Sequence, residues 1–234
     1  MYEAVHATPD GDSTVARQAA TAAEYGFDGV VVRNHSDARA DYDADRIADE
    51  SGIDVVAGVE IRADDRSRAS GHVGNFRPKT TVLLLHGGAN DLNRFAVESD
   101  RVDVLAHPMR GQGDFNHVLA KAAADNGVRV EFDLSRVLRK DGGPRVQALQ
   151  DLRKLRELVE KYDAPYVVSA RPNSHLQLRA PRELLAVGET VGFSRDQVET
   201  GLREWGRLAE RNRERQSDAF IGPGVKRGRY EEDD

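Results

Sequence analysis

The chain has 234 residues, no cysteine, and a net charge of −6 from 40 acidic and 34 basic side chains. That length supports one sizeable core, and the lack of cysteine excludes disulfides and thiolate metal sites. Met1 leads straight into a strand, and no 18-residue apolar run follows, so nothing points to export or membrane insertion and a cytoplasmic protein is expected.

In chain order, Tyr2 to His6 predicts an opening strand, and Ser13 to Tyr25 an Ala-rich helix ended by Gly26. Asp28 to Arg33 is a second strand, Asp45 to Glu50 lies in a helix, and Ile53 to Val59 is a third strand. This βαβαβ rhythm requires parallel pairing with right-handed crossovers. Ala63 to Lys79 lacks helical period and holds three Arg, so it reads as a long loop, functional or disordered. Thr81 to Leu85 and Val102 to Ala106 are strands four and five, with a short helix between Asn90 and Asp100. A helix from Phe115 to Asn126 precedes the sixth strand, Val128 to Leu134. Pro144 opens a long helix to Tyr162, whose apolar face is Val146, Leu149, Leu152, Leu155 and Val159. Tyr166 to Val168 is the seventh strand. Ser194 with Gln197 forms a capping box for a last helix to about Gln216, with Val198, Leu202, Trp205 and Ala209 facing inward.

Seven strands with mostly helical crossovers predict an α/β, TIM-like (βα) barrel over residues 1–216, with a doubly wound open sheet as the alternative. Residues 217–234, rich in Gly and charge, read as a disordered tail. In such barrels function sits on the loops after the strands. His6, His35, His86 and His107 each fall at or just past a strand end, and His175 follows the seventh strand. With Glu60 after the third strand, they could serve as metal ligands or simply hydrogen-bond the loops.

Asn34-His35, Gly58-Val59-Glu60 and Ala106-His107-Pro108 resemble strand-end motifs of the polymerase and histidinol phosphatase (PHP) metal-dependent phosphoesterases, which are seven-stranded distorted barrels. That family opens with Asp-x-His-x-His, whereas the matching positions here are Tyr2, Ala4 and His6. The resemblance implies a phosphoesterase using His35, Glu60, His107 and His175, but two first-strand ligands are replaced.

A second resemblance runs from about residue 1 to 210. The opening stretch, His107-Pro108, Val130-Glu131-Phe132-Asp133-Leu134-Ser135 and above all Leu178-Arg179-Ala180-Pro181-Arg182-Glu183-Leu184 are similar to the archaeal and eukaryotic ribonuclease P protein component 3 family. This resemblance implies a non-catalytic, PHP-like barrel subunit of the ribonucleoprotein that removes the 5′ leader of precursor tRNA. Its partners would be the ribonuclease P RNA, protein component 2 and the other protein subunits. It implies no cofactor held by this subunit, with Mg²⁺ used by the RNA of the complex. Only six of the basic residues are Lys, and the Asp-rich, Arg-for-Lys composition resembles proteins of salt-loving microbes, hence a haloarchaeon.

At about 1 M salt the Debye length is roughly 3 Å, so RNA must be held by close contacts, for which the planar Arg fork is suited. The expected RNA contacts are Arg136, Arg139 and Lys140 first, beside Gly142-Gly143, then Arg171 and Arg179, with Arg33, Arg62 and Arg110 near other strand exits. The Args of the last helix are expected to be solvated or paired with Glu199, Glu204, Glu210 and Glu214.

Overall fold

The computed structural model describes residues 1–217, 220–222 and 225–226. Its elements are β1 (Tyr2–Val5), α1 (Val15–Glu24), β2 (Gly29–Val32), α2 (Ala44–Ser51), β3 (Asp54–Ile61), α3 (Arg66–Phe76), β4 (Val82–His86), α4 (Asn90–Glu98), β5 (Val104–Ala106), α5 (His117–Asn126), β6 (Arg129–Asp133), α6 (Ser135–Arg139), α7 (Gly142–Tyr162), β7 (Tyr166–Ser169), α8 (Pro181–Val191) and α9 (Arg195–Gln216). The seven strands form one parallel sheet in sequential order, the predicted nearly closed barrel with helices outside it.

Alternation along the strands splits the core in two. Val30, Val32, Val59, Leu83, Leu85, Val130 and Phe132 point outward and pack under the helices, whereas Ala4, Val31, Val56, Leu84, Val104 and Val167 line the inside. The inner side chains are mostly small, and Trp205, Leu208 and Ala209 of α9 fill the space they leave. α9 crosses the N-terminal mouth of the barrel. Its Asn212 donates to Thr81 O at 2.8 Å and to Asp103 Oδ1 at 2.9 Å, its Arg213 grips Asp54 at 2.8 Å, and its Glu204 accepts from Arg129 at 2.8 Å. The expectation that the Args of α9 are solvated or paired with Glu residues of that helix holds only in part. Arg203 and Arg207 do pair with Glu199 and Glu204, but Arg211 and Arg213 reach acids at the strand starts instead.

Among the described residues β1 and β7 share no ladder, and a carboxylate bridges the seam instead. Glu3, fully buried, accepts from Ser169 Oγ at 2.6 Å and from the backbone N–H of Ala170 at 3.0 Å. Burial pushes the Glu3 carboxyl up to about 7, with the Ser169 and backbone hydrogen bonds only partly opposing it. Because an ordinary Glu titrates near 4.5, the folded chain holds this proton where the unfolded chain has lost it. Stability should therefore fall as pH rises from about 4.5 to about 7, by about 3 kcal/mol. In urea titrations at a series of pH values, Glu3→Gln should remove that slope; an unchanged slope would assign it to other groups.

Two sequence expectations need correction. The stretch 63–79 is not structureless: Asp65 caps α3 by accepting from the N–H of Arg68, and a 3₁₀ turn follows. Only Ala69 and Val73 of α3 are buried, which is why no apolar period marks it. Val146 is 55% exposed and does not belong to the buried face of α7, which is Ala148, Leu152, Leu155 and Val159. Of the segment 217–234 expected to be disordered, Ser217 ends α9 and Phe220–Gly222 pairs antiparallel with Val225–Lys226; its other residues lie outside the described ones.

Candidate functional site

The C-terminal ends of the strands converge on a polar centre. Arg33, one residue past β2, is fully buried, and its guanidinium lies between two fully buried carboxylates. Its Nε and Nη2 donate to Glu60 Oε2 of β3 at 3.0 and 2.8 Å, while Nη1 and Nη2 donate to Glu131 of β6. Burial disfavours the Arg33 charge, but the two carboxylates more than reverse this and hold the guanidinium protonated. Glu60 shows the same balance: burial pushes it up, and Arg33 and the histidines bring it well below the usual carboxylate range.

Four imidazoles surround Glu60 Oε1 and its neighbours. His86 Nδ1 lies 2.5 Å and His107 Nε2 3.0 Å from Oε1, His35 Nε2 lies 3.5 Å away, and His6 Nε2 is 3.7 Å from Oε2. Consecutive rings of the row His6, His35, His86 and His107 are 5.0, 5.2 and 4.3 Å apart. Burial lowers His107 to about 4, with Glu60 only partly opposing, so it is neutral at physiological pH. Asp10, on the turn after β1, meets His6 Nδ1 at 2.7 Å and His35 Nδ1 at 2.8 Å and accepts from the His35 backbone N–H. Burial would raise Asp10, but these hydrogen bonds bring it below the ordinary range. His175 is not brought to this centre; its Nδ1 meets Ser13 Oγ at 2.8 Å.

A second charge cluster adjoins the first. Asp133 at the end of β6 faces Arg171 Nε at 3.4 Å and Arg110 Nε at 3.5 Å. Burial pushes Asp133 up, and the two guanidiniums overcome it to give about 2. Arg171 (φ 46°) and His107 (φ 33°) both take left-handed backbone at this rim, a conformation that costs a non-glycine residue about 1–2 kcal/mol. Ion pairs and burial at the rim hold them there.

Of the expected RNA contacts, Arg33 must be withdrawn, because a guanidinium buried between two carboxylates cannot reach a phosphate. Arg139 donates to the carbonyls of Ala170 and Arg171, and Arg179 to those of Leu176 and Leu178, so both fasten the loop after β7. Arg62 pairs with Asp37, and Arg136 with Asp151. Lys140 is exposed, and its ammonium has no acidic partner among the described residues. With Arg110 and Arg136 it lines a groove of about 540 Å³ on the rim. Sequence reasoning misses Asp10, Glu131 and Asp133 as site residues. The first lies on a turn, and the other two alternate with apolar residues along β6, a pattern shared with any strand that has one polar face.

The fold and this centre define a seven-stranded parallel barrel protein whose C-terminal rim carries buried carboxylates, imidazoles and guanidiniums. The chain belongs to the RNase P subunit p30 family, which it matches over residues 1–217. It is 67% identical to ribonuclease P protein component 3 of Haloarcula marismortui over 226 residues, covering 97% of this chain and 96% of that one. A chain in the structure of an archaeal ribonuclease P with mature tRNA shares the fold, with a TM-score of 0.83, 24% identity and full coverage of both chains. Histidinol phosphate phosphatase of Lactococcus lactis shares it more distantly, with a TM-score of 0.57 at 10% identity over 82% of this chain and 94% of that one.

Proposed function

We infer that this chain is a protein subunit of ribonuclease P, the ribonucleoprotein that removes the 5′ leader from precursor tRNA. The observation that carries this is the family match across the whole barrel, together with a relative of that name that is two-thirds identical over nearly the full length of both chains. No described helix is long and apolar enough to cross a membrane. On this reading the subunit works beside RNA in the cytoplasm. It does not cut RNA itself. It stabilises the active fold of the RNA together with partner proteins, of which component 2 of the same enzyme is the first candidate.

The rim groove is the part of the barrel best suited to phosphate. Lys140 offers an ammonium that no described acid engages, and Arg110, which lines the groove beside it, donates its Nη2 to Ser135 Oγ at 3.4 Å. Each phosphate that the protein ceases to neutralise lowers the salt slope of binding by about 0.7–0.9. Lys140→Ala with Arg110→Ala should reduce the slope of log affinity against log salt by about 1.4–1.8 for ribonuclease P RNA. Filter binding across a salt series reads this, and an unchanged slope would take the groove out of the interface. The reading of function itself is tested by recovering a tagged copy from native cells at high salt and sequencing the RNA that accompanies it. Enrichment of one structured RNA able to cleave precursor tRNA is expected; recovery without RNA would overturn the assignment.

A further inference from the structure

We propose that the rim groove takes a single unpaired nucleotide of RNA, its base stacked on the Arg136 guanidinium and Met109 and its phosphate on Lys140. This rests on the ribonucleoprotein reading and deepens it, by naming the part of the RNA that the groove receives.

Size and rigidity carry the first part. At about 540 Å³ the groove falls in the range of sites that enclose one small molecule, whereas a double-stranded RNA is read across a broad surface. Beneath it, Met109, Arg110, Arg136 and Asp151 also border a cavity of about 30 Å³, space for water and not for a base, so a ligand stays in the outer groove. The wall is formed before any ligand arrives. In the turn that carries Met109 and Arg110, the N–H of Arg110 donates to His107 O at 3.1 Å, that of Gly113 to Arg110 O at 2.8 Å and that of Gln112 to Gly88 O at 3.2 Å. A Cβ on Gly113 would lie 2.4 Å from Pro108 O and 2.7 Å from Gly88 Cα, so only glycine lets these two loops pack this closely.

Chemistry carries the second part. Arg136 Nη1 donates to Asp151 Oδ2 at 3.2 Å, yet the side chain stays 28% exposed. The donors of a guanidinium lie in its plane, so an Arg tied at its edge still offers its face, a surface on which unpaired bases stack. Met109 adds polarizable apolar surface beside it. Gln147 Nε2 donates to Asp151 Oδ1 at 2.8 Å, which fixes the amide and leaves Oε1 to accept from an N–H of the base. Asp151 thus positions both the stacking plane and the polar contact. Three cations, Arg110, Arg136 and Lys140, line the groove against the single carboxylate of Asp151, so it favours a ligand that carries negative charge. A base with its phosphate meets both the planar surface and this surplus of positive charge.

The test measures binding of the full chain to ribonuclease P RNA across a salt series. Arg136→Lys keeps the charge and loses the planar face, and Gln147→Ala removes an exposed side chain that touches no phosphate. Each should weaken binding about tenfold at every salt concentration and leave the salt slope unchanged. Unchanged affinity in both variants, with the slope still reduced in Lys140→Ala with Arg110→Ala, would leave a groove for phosphate alone and overturn the base. Absence of RNA binding by the wild-type chain would instead overturn the subunit reading, and this proposal with it. In competition, a short oligoadenylate should displace the RNA, its duplex with oligouridylate should not, and AMP should do so only at far higher concentration. Displacement by the duplex would put a helix backbone on the groove, and displacement by AMP as readily as by the oligomer would assign it to free nucleotides; either overturns the proposal.

Discussion

Arg33→Met is expected to cost about 3–5 kcal/mol in unfolding free energy, the largest polar effect in the molecule. Arg33 is the cation between Glu60 and Glu131, all three side chains being fully shielded from water. Removing it leaves two carboxylates facing each other in the barrel interior, and neither can reach solvent. Denaturant unfolding in the presence of a chelator measures the loss without interference from metals. Adding Glu131→Gln and Glu60→Gln to the Arg33→Met chain should recover most of it, since a neutral, similarly shaped centre often matches a buried ion triad in stability. No recovery in the triple variant would mean that packing around the guanidinium, rather than its charge, sets the cost.

Trp205→Ala should cost a similar 3–5 kcal/mol, again roughly, for a different reason. The indole is fully buried among Val31, Val56, Leu84, Val104 and Val167, and its Nε1 donates to Val168 O at 2.9 Å. Truncation empties the N-terminal half of the barrel and leaves that carbonyl without its donor. Trp205→Phe keeps most of the volume and should lose less than half as much. Equal losses in the two variants, in the same unfolding assay, would place the weight on the hydrogen bond.

The barrel is readable because its signals are local. Runs such as Gly29–Val32 and Val82–His86 are almost continuously buried, Gly52 and Gly127 take the left-handed backbone that ends α2 and α5, and Ser194 with Gln197 forms the expected capping box. Leu178 to Leu184 is equally legible as a family motif, though the motif alone does not say that it opens α8 with Pro181 in the first turn. The site is legible in its location and not in its pairing. The histidines at strand ends do converge, yet nothing near Arg33 in sequence announces that its partners are Glu60 and Glu131, 27 and 98 residues away. An Arg at a strand exit can face the loop or the interior. Which it does depends on carboxylates and carbonyls brought in by other strands and loops, and this is why sequence alone sends Arg33 and Arg139 toward RNA.

The seam has a consequence for synthesis. Glu3 waits for Ser169, 166 residues later, and the N-terminal mouth stays unfilled until α9 arrives. As a chain made from its N-terminus emerges from the ribosome, β1 to β6 can stack on one another, but the ring has no end to close on and no plug. Contacts of such wide sequence separation form late and slowly. Truncation anywhere within α9 therefore threatens the whole barrel, and partners that read the finished rim meet it only once the last helix has been released.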